Sequence, residues 1–313
     1  MMRDKFLGRD FLTVMDYTKE EVLFILDVAS DLKRKWAMRE PHEILKGRNY
    51  FLIFEKLSTR TRTSFQAGIA QLGAQSFFMR SEETQMGRGE PVKDTARVID
   101  RFCDGLIMRT FGQERLEEFA QYMEHPVINA LTDLTHPCQL LADFLTIKEK
   151  KGAFKGLKMA HSGDIWNVFH SLTIGCAMMG MDFFAAMPDG YEPNPDVLNK
   201  ANELAKCTGA KIVFSKNMDE IMEGADLVYA NTYHSMGGPE KSKEERIEDF
   251  AAFQINEKSM KKAKEDAIFM HPLPAYRGEE VTDEVIEGPQ SVSFDQAENR
   301  MHTGKAILSL VTR

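Results

Sequence analysis

Apolar and polar positions along the chain follow two spacings, and the switches between them mark out the elements. The apolar run Tyr50-Phe51-Leu52-Ile53-Phe54 reads as a buried strand, and Phe65, Ile69 and Leu72 behind it recur at helical spacing. Upstream, Thr18-Lys19-Glu20-Glu21 caps a helix that turns Val22, Ile25, Leu26 and Val28 inward. The pattern next predicts a strand over 74–79, an irregular polar stretch over 80–90, and a helix opened by Pro91 with Val92, Ala96 and Ile99 on one face. A strand over 105–108, a helix around Leu116, Phe119 and Met123, a strand over 127–130 and a helix over 136–150 follow. The same alternation then restarts. It gives strands over 157–160, 183–187, 212–214, 227–230 and 267–270, and helices over 168–179, 197–204 and 299–310. The stretch 231–246 is polar and rich in turn formers, so it reads as a loop. Strands alternating with helices through short connections make parallel sheets covered by helices. The basic, glycine-containing stretch 148–156 separates a domain over 1–150 from one over 151–298.

Length agrees with two domains, since 313 residues are many for one core. A hydrophobic content of 43% with 28% charged residues is that of a soluble globular chain. The net charge of −8 speaks against a nucleic-acid partner, which needs a basic surface. No apolar stretch approaches a membrane span and no leader is visible at the N-terminus. Cys103, Cys138, Cys176 and Cys207 are scattered, which suits neither a zinc site nor a disulfide framework and points to a reducing cytoplasm.

Candidate chemistry gathers where strands end. Ser58-Thr59-Arg60-Thr61-Arg62 lies between the first strand and its helix, at the edge where open α/β sheets place ligands. A helix N-terminus offers unpaired N–H groups and a favourable dipole, three hydroxyls add donors, and guanidinium forks suit phosphate oxygens. A phosphorylated small molecule fits this stretch; a capped helix with two solvated arginines is the alternative. Arg109, His136-Pro137-Cys138-Gln139 and His271-Pro272-Leu273-Pro274 also follow predicted strands. There is no G-x-x-x-x-G-K-[ST], no G-x-G-x-x-G after a strand, no G-x-S-x-G and no H-E-x-x-H. Donors and cations without a nucleophile or metal cage suit a reaction run by positioning and charge stabilisation.

Together these motifs resemble the aspartate/ornithine carbamoyltransferase family. Lys93-Asp94-Thr95-Ala96-Arg97-Val98, Ser235-Met236-Gly237 and Asp295-Gln296-Ala297-Glu298-Asn299-Arg300 are similar to the ornithine branch. The resemblance runs from about Phe11 to the C-terminus. It implies two doubly wound parallel-sheet α/β domains joined by linking helices, with a C-terminal helix over 299–313 returning to the first domain. It implies a homotrimer, or a multiple of trimers, with active sites between subunits. Ser58, Thr59, Arg60 and Thr61 would bind the phosphate of carbamoyl phosphate, and Arg109, His136, Gln139 and Arg300 its carbamoyl group and bridging oxygens. Gln85 would reach the neighbouring subunit's site. Arg109, His136, Arg300 and Thr61 would be catalytic. Asn167, Asn231, Ser235, Met236, Pro272 and Leu273 would contact the acceptor amine, and no metal or organic cofactor is required.

Three residues depart from the ornithine pattern. Asn231 stands where ornithine enzymes have an aspartate, Pro272 where they have a cysteine, and Trp166 where a small residue or asparagine is usual. The acceptor implied is L-ornithine, giving L-citrulline. The alternatives are an amine lacking a cationic α-amino group, such as an N-acylated ornithine, a diamine or an ω-amino acid, or a non-catalytic carbamoyl phosphate binder.

Overall fold

The computed structural model describes residues 2–235 and 241–313. In chain order the principal elements of the first part are α1 (Lys19–Ala37), β1 (Asn49–Phe54), α2 (Arg60–Gln71), β2 (Gln75–Arg80), α3 (Val92–Asp100), β3 (Leu106–Arg109), α4 (Gln113–Tyr122), β4 (Val127–Leu131) and α5 (Pro137–Lys151). They continue with β5 (Lys158–Ser162), α6 (Asn167–Met179), β6 (Asp182–Ala186), α7 (Pro195–Thr208), β7 (Ile212–Ser215), α8 (Met218–Met222) and β8 (Leu227–Ala230). The last are α9 (Lys243–Phe250), α10 (Glu257–Met260), β9 (Ile268–Met270), α11 (Asp283–Ile286) and α12 (Ser293–Val311).

The chain divides into two compact units, Met1–Leu145 with Glu298–Arg313, and Thr146–Ala297. The first break falls inside α5 and the second inside α12.

The first unit holds a four-stranded sheet in the order β2-β1-β3-β4, with every pairing parallel. Helix α1 starts on a reciprocal cap between Thr18 and Glu21 and buries Val22, Ile25, Leu26, Ala29 and Leu32 along one stripe. The chain leaves β1 toward β2 on one side and enters β3 on the other. The carboxyl ends of β1 and β3 therefore flank the point where the winding reverses, which is where such sheets form a crevice. Ser58–Arg62 follows β1, and Arg109 ends β3.

The second unit repeats the plan with five parallel strands in the order β7-β6-β5-β8-β9. Its reversal lies between β5 and β8. The segments 163–167 and 231–235 leave those two strands.

Several boundaries differ from the sequence pattern for identifiable reasons. Helix α12 begins six residues before the expected 299, because its polar first turns have tertiary partners: Asp295 pairs with Lys150 at 2.5 Å and Gln296 accepts from the backbone of His271 at 2.9 Å. Residues 80–90 are not irregular but form two short 3-10 turns, Ser81–Glu83 and Gln85–Arg88, closed by Gly89 at φ 92°. The loop expected over 231–246 ends early, at Ser242, whose side chain caps α9 in a box with Glu245. Helices α8, α10 and α11 are each five residues or fewer and leave too little periodicity to be seen in the sequence.

Candidate active site

In the first unit the predicted phosphate-binding stretch opens α2 with Arg60 as its first helical residue. Thr59 stands at the cap position but makes no side-chain capping bond, so the reading of this stretch as a capped helix end loses its main support. The two arginines part. Arg62 lays its guanidinium over Phe78, 3.5 Å from the ring centroid, and bonds Gln66 at 3.2 Å, whereas Arg60 is half-buried beside Arg109 and His136.

Thr61 is 1% exposed and accepts a hydrogen bond from Nη2 of Arg300, which the C-terminal helix delivers. The same Nη2 lies 3.4 Å from Nε2 of His136. His136 precedes α5 at the end of a turn in which Thr135 donates to Thr132 Oγ1 and Thr132 to the Thr135 carbonyl. Asn129 ties that turn to β4, its Nδ2 donating to Thr135 Oγ1 at 3.3 Å, and its backbone carbonyl holds the start of α5 by accepting from the Cys138 thiol at 3.1 Å. Gln139 is buried one turn on and donates to Asp143 at 2.8 Å.

Charge is one-sided here. Burial and the guanidiniums of Arg300, Arg109 and Arg60 hold the His136 imidazole well below its usual pKa, so it is neutral at physiological pH. Burial, Arg300 and Arg60 lower even Arg109 to about 10. Arg109 Nε and Gln139 Oε1 are buried without a hydrogen-bond partner. Three clustered guanidiniums beside a neutral imidazole make a local excess of positive charge that suits an anion. Ser58 is half-buried and Thr59 exposed at the same helix start. Gln85 is exposed on the second of the two short turns and, among the described residues, makes no hydrogen bond to this cluster.

In the second unit Asn167, Asn231 and Ser235 follow the two strands that flank the β5–β8 reversal, and Pro272 and Leu273 follow β9. Asn231 is 5% exposed and its N–H donates to Ser162 O at 2.9 Å. Gly163 faces it at φ 140°, and a Cβ there would lie 2.2 Å from the Asn231 carbonyl oxygen, so only glycine fits. Asn167, buried, opens α6. Trp166 is half-buried with an unpartnered Nε1, its ring 5.9 Å from His170. Ser235 donates through both N–H and Oγ to Asp164 Oδ2. Burial pushes the Asp164 carboxyl up, against those bonds and the charge of Arg246. Pro272 is buried, and Leu273 is half-buried with a left-handed φ of 56°. Met236, and with it Gly237 of the Ser235-Met236-Gly237 motif, lies outside the described residues.

Asp164 and Glu280 were not among the predicted site residues. Asp164 stands immediately after the glycine that β5 needs, a signal the sequence does carry. Glu280 has no such mark. Among the described residues, no group of three or more His, Cys, Asp or Glu side chains is placed to hold a metal ion. None of the described helices is long and apolar enough to cross a membrane.

Comparison with known proteins agrees with this geometry. Residues 9–149 match the aspartate/ornithine carbamoyltransferase carbamoyl-P binding domain, and residues 155–311 the Asp/Orn binding domain. An ornithine carbamoyltransferase of Oceanobacillus iheyensis is 49% identical over 96% of this chain and 94% of its own. The structure of the Pyrococcus furiosus ornithine carbamoyltransferase superimposes with a TM-score of 0.94 at 44% identity, covering 98% of each chain. That of the Giardia lamblia ornithine transcarbamoylase gives 0.86 at 33%, covering 96% of this chain and 97% of its own. Two family domains in succession along the sequence, with cations at the winding reversal of the first and polar side chains at that of the second, leave one assignment: the chain belongs to the aspartate/ornithine carbamoyltransferase family.

Proposed function

We propose that the protein transfers the carbamoyl group of carbamoyl phosphate to the side-chain amine of L-ornithine, giving L-citrulline and phosphate. The observation that carries this reading is the crowding of Arg60, Arg109 and Arg300 around Thr61 and the neutral His136. Ser58, Thr59, Arg60 and Thr61 bind the phosphate; Arg109, His136, Gln139 and Arg300 bind the carbamoyl end. A neutral amine attacks the carbamoyl carbon and negative charge develops on its oxygen. Arg109, His136 and Thr61 stabilise that oxygen, and preorganised donors of this kind supply about 2.7–4 kcal/mol each. The bond from carbon to the bridging oxygen then breaks, phosphate leaves toward the start of α2, and a phosphate oxygen takes the amine's proton. Asn167, Asn231, Ser235, Met236, Pro272 and Leu273 hold the acceptor.

A homotrimer in which Gln85 serves the neighbouring subunit's site, a cytoplasmic setting and a place in arginine metabolism belong to the same reading. The exposure of Gln85 supports the first, and the relatives' name, ornithine carbamoyltransferase, supports the last.

A second reading is favoured by Asn231, which is buried and uncharged at the acceptor position. Without a carboxylate there, an ammonium group loses roughly 2–5 kcal/mol of pairing, and an acceptor lacking the cationic α-amine would then be preferred.

Turnover of carbamoyl phosphate with ornithine, acetylornithine, putrescine, lysine, β-alanine and aspartate, run beside Asn231→Asp, separates the two. Ornithine clearly best in the wild type supports the first reading. A poor response to ornithine that Asn231→Asp improves supports the second. Absence of turnover with every amine overturns both.

A further inference from the structure

Beyond the acceptor residues themselves lies a buried pair that holds their backbone. Strand β9 ends at Met270, and His271 and Glu280 follow with side chains completely excluded from solvent, Nε2 to Oε1 at 3.0 Å. The neighbours of the imidazole settle its protonation. The Leu273 N–H donates to Nδ1 at 2.9 Å, so Nδ1 carries the lone pair and Nε2 carries the proton that Glu280 accepts. The same Glu280 oxygen accepts from the Tyr276 N–H at 2.6 Å. Gln296 fixes the root of the segment by accepting from the His271 N–H at 2.9 Å.

One carboxylate thus ties both ends of 272–276, directly at Tyr276 and through the imidazole at Leu273. The segment needs such a tie. Leu273 occupies the left-handed region, which a residue with a Cβ enters only when its surroundings over-determine it. A histidine in the other tautomer would present N–H to N–H at Leu273 and release that backbone.

We propose that Glu280 is a positioning residue for the acceptor: by fixing the tautomer of His271 it sets the backbone that presents Pro272 and Leu273 to the incoming amine. This rests on the reading that Pro272 and Leu273 contact the acceptor. The carbamoyl phosphate residues belong to the other unit, so the two substrates should respond differently.

The test uses Glu280→Leu, which removes the acceptor oxygens, and Glu280→Gln, which keeps one. The expected result is a rise of about tenfold in the KM for the amine with Glu280→Leu, a KM for carbamoyl phosphate within about twofold of wild type, and recovery to within about threefold with Glu280→Gln. An unchanged amine KM, or both KM values moving together, overturns the proposal. A purely structural pair would lower the melting temperature without that split. If Glu280→Leu does not fold, histidine-selective 15N spectra of the wild type decide: an unprotonated Nδ1 on His271 upholds the proposal and a protonated one overturns it. If the wild type turns over no amine, the proposed activity fails by itself, and calorimetric binding of the amine panel, with Kd in place of KM, tests the positioning by the same ratio.

Discussion

Arg300 donates to the hydroxyl of Thr61 across 239 residues of chain, joining the C-terminal helix to the first turn of α2. Neither residue is ideal alone: a threonine hydroxyl without a donor has no fixed lone-pair direction, and a buried guanidinium without acceptors is costly. Together they act as one unit. Thr61→Val and Arg300→Gln should each lower kcat/KM by about 10²–10³, and the double variant should lose little more than the worse single one. Steady-state rates on the four proteins measure this; full additivity would show that the pair is not coupled.

His136 should be silent in the pH–rate profile. Burial and three guanidiniums depress its pKa, and a depressed imidazole is already neutral above the ordinary histidine range. Between about pH 6 and 9 no inflection in kcat/KM should belong to His136. A profile that loses an inflection in this range on His136→Gln would contradict the assignment.

His161 should make the fold acid-sensitive. It is packed among Phe169, Phe183 and Tyr229 with both ring nitrogens unpartnered, and burial pushes it down to about 3. In the unfolded chain it titrates near 6.5, so below that pH the unfolded state binds a proton that the folded state refuses. Stability should fall as pH drops from about 6.5 toward 3, by up to ~1.4 kcal/mol per unit from this group. His161→Phe should remove that share. The gap in Tm between variant and wild type should widen from pH 7 to pH 4.

Lys305 carries the opposite test. Its side chain is buried on α12 and bonds Gln71 Oε1 at 2.9 Å, His42 Nε2 at 3.3 Å and Leu32 O at 3.5 Å, and burial lowers it to about 8. The unfolded lysine holds its proton to about 10.4. The cost of burying this cation is therefore complete below pH 8 and disappears as pH rises through 10.4. Relative to Lys305→Met, the wild type should gain Tm between pH 8 and 10.

Gly163→Ala should fail at the acceptor end. The added methyl would meet the Asn231 carbonyl at 2.2 Å, between backbone atoms that cannot yield cheaply. A loss of about 2 kcal/mol or more is expected, with a raised KM for the amine, read from denaturant unfolding and rates. Unchanged stability would mean that the close approach relaxes.

The strands were legible because each carries a short apolar stretch between polar turns, and the Ser58–Arg62 stretch announced its place by following one of them. Arg300 was not legible from local pattern. It sits among polar residues whose partners, such as Lys33 for Asn299 at 2.8 Å, are hundreds of positions away, and only the resemblance marked it. The split between Arg60 and Arg62 was equally hidden, because it depends on Phe78 in the neighbouring strand β2. Glu280 shows the limit most clearly. Nine residues from His271, it obeys no helical or strand period, and its role exists only once the segment between them has folded back. Ser242 and Glu245 are different: their capping spacing is present in the sequence, inside a stretch whose turn formers read as a loop.

The division of the first unit has a consequence for biosynthesis. Its sheet is finished when residue 145 leaves the ribosome, but Arg300 and the buried Ile307 and Leu308 belong to a segment made more than 150 residues later. The nascent first unit therefore emerges without its last helix, with the apolar surface that α12 covers still open and the anion site one guanidinium short. Ligand cannot stabilise this unit early, because the residue that completes the site is translated more than 150 positions after its sheet. The second unit, contiguous in sequence, is free to fold first, so the part that matches the Asp/Orn binding domain should mature before the part that matches the carbamoyl-P binding domain.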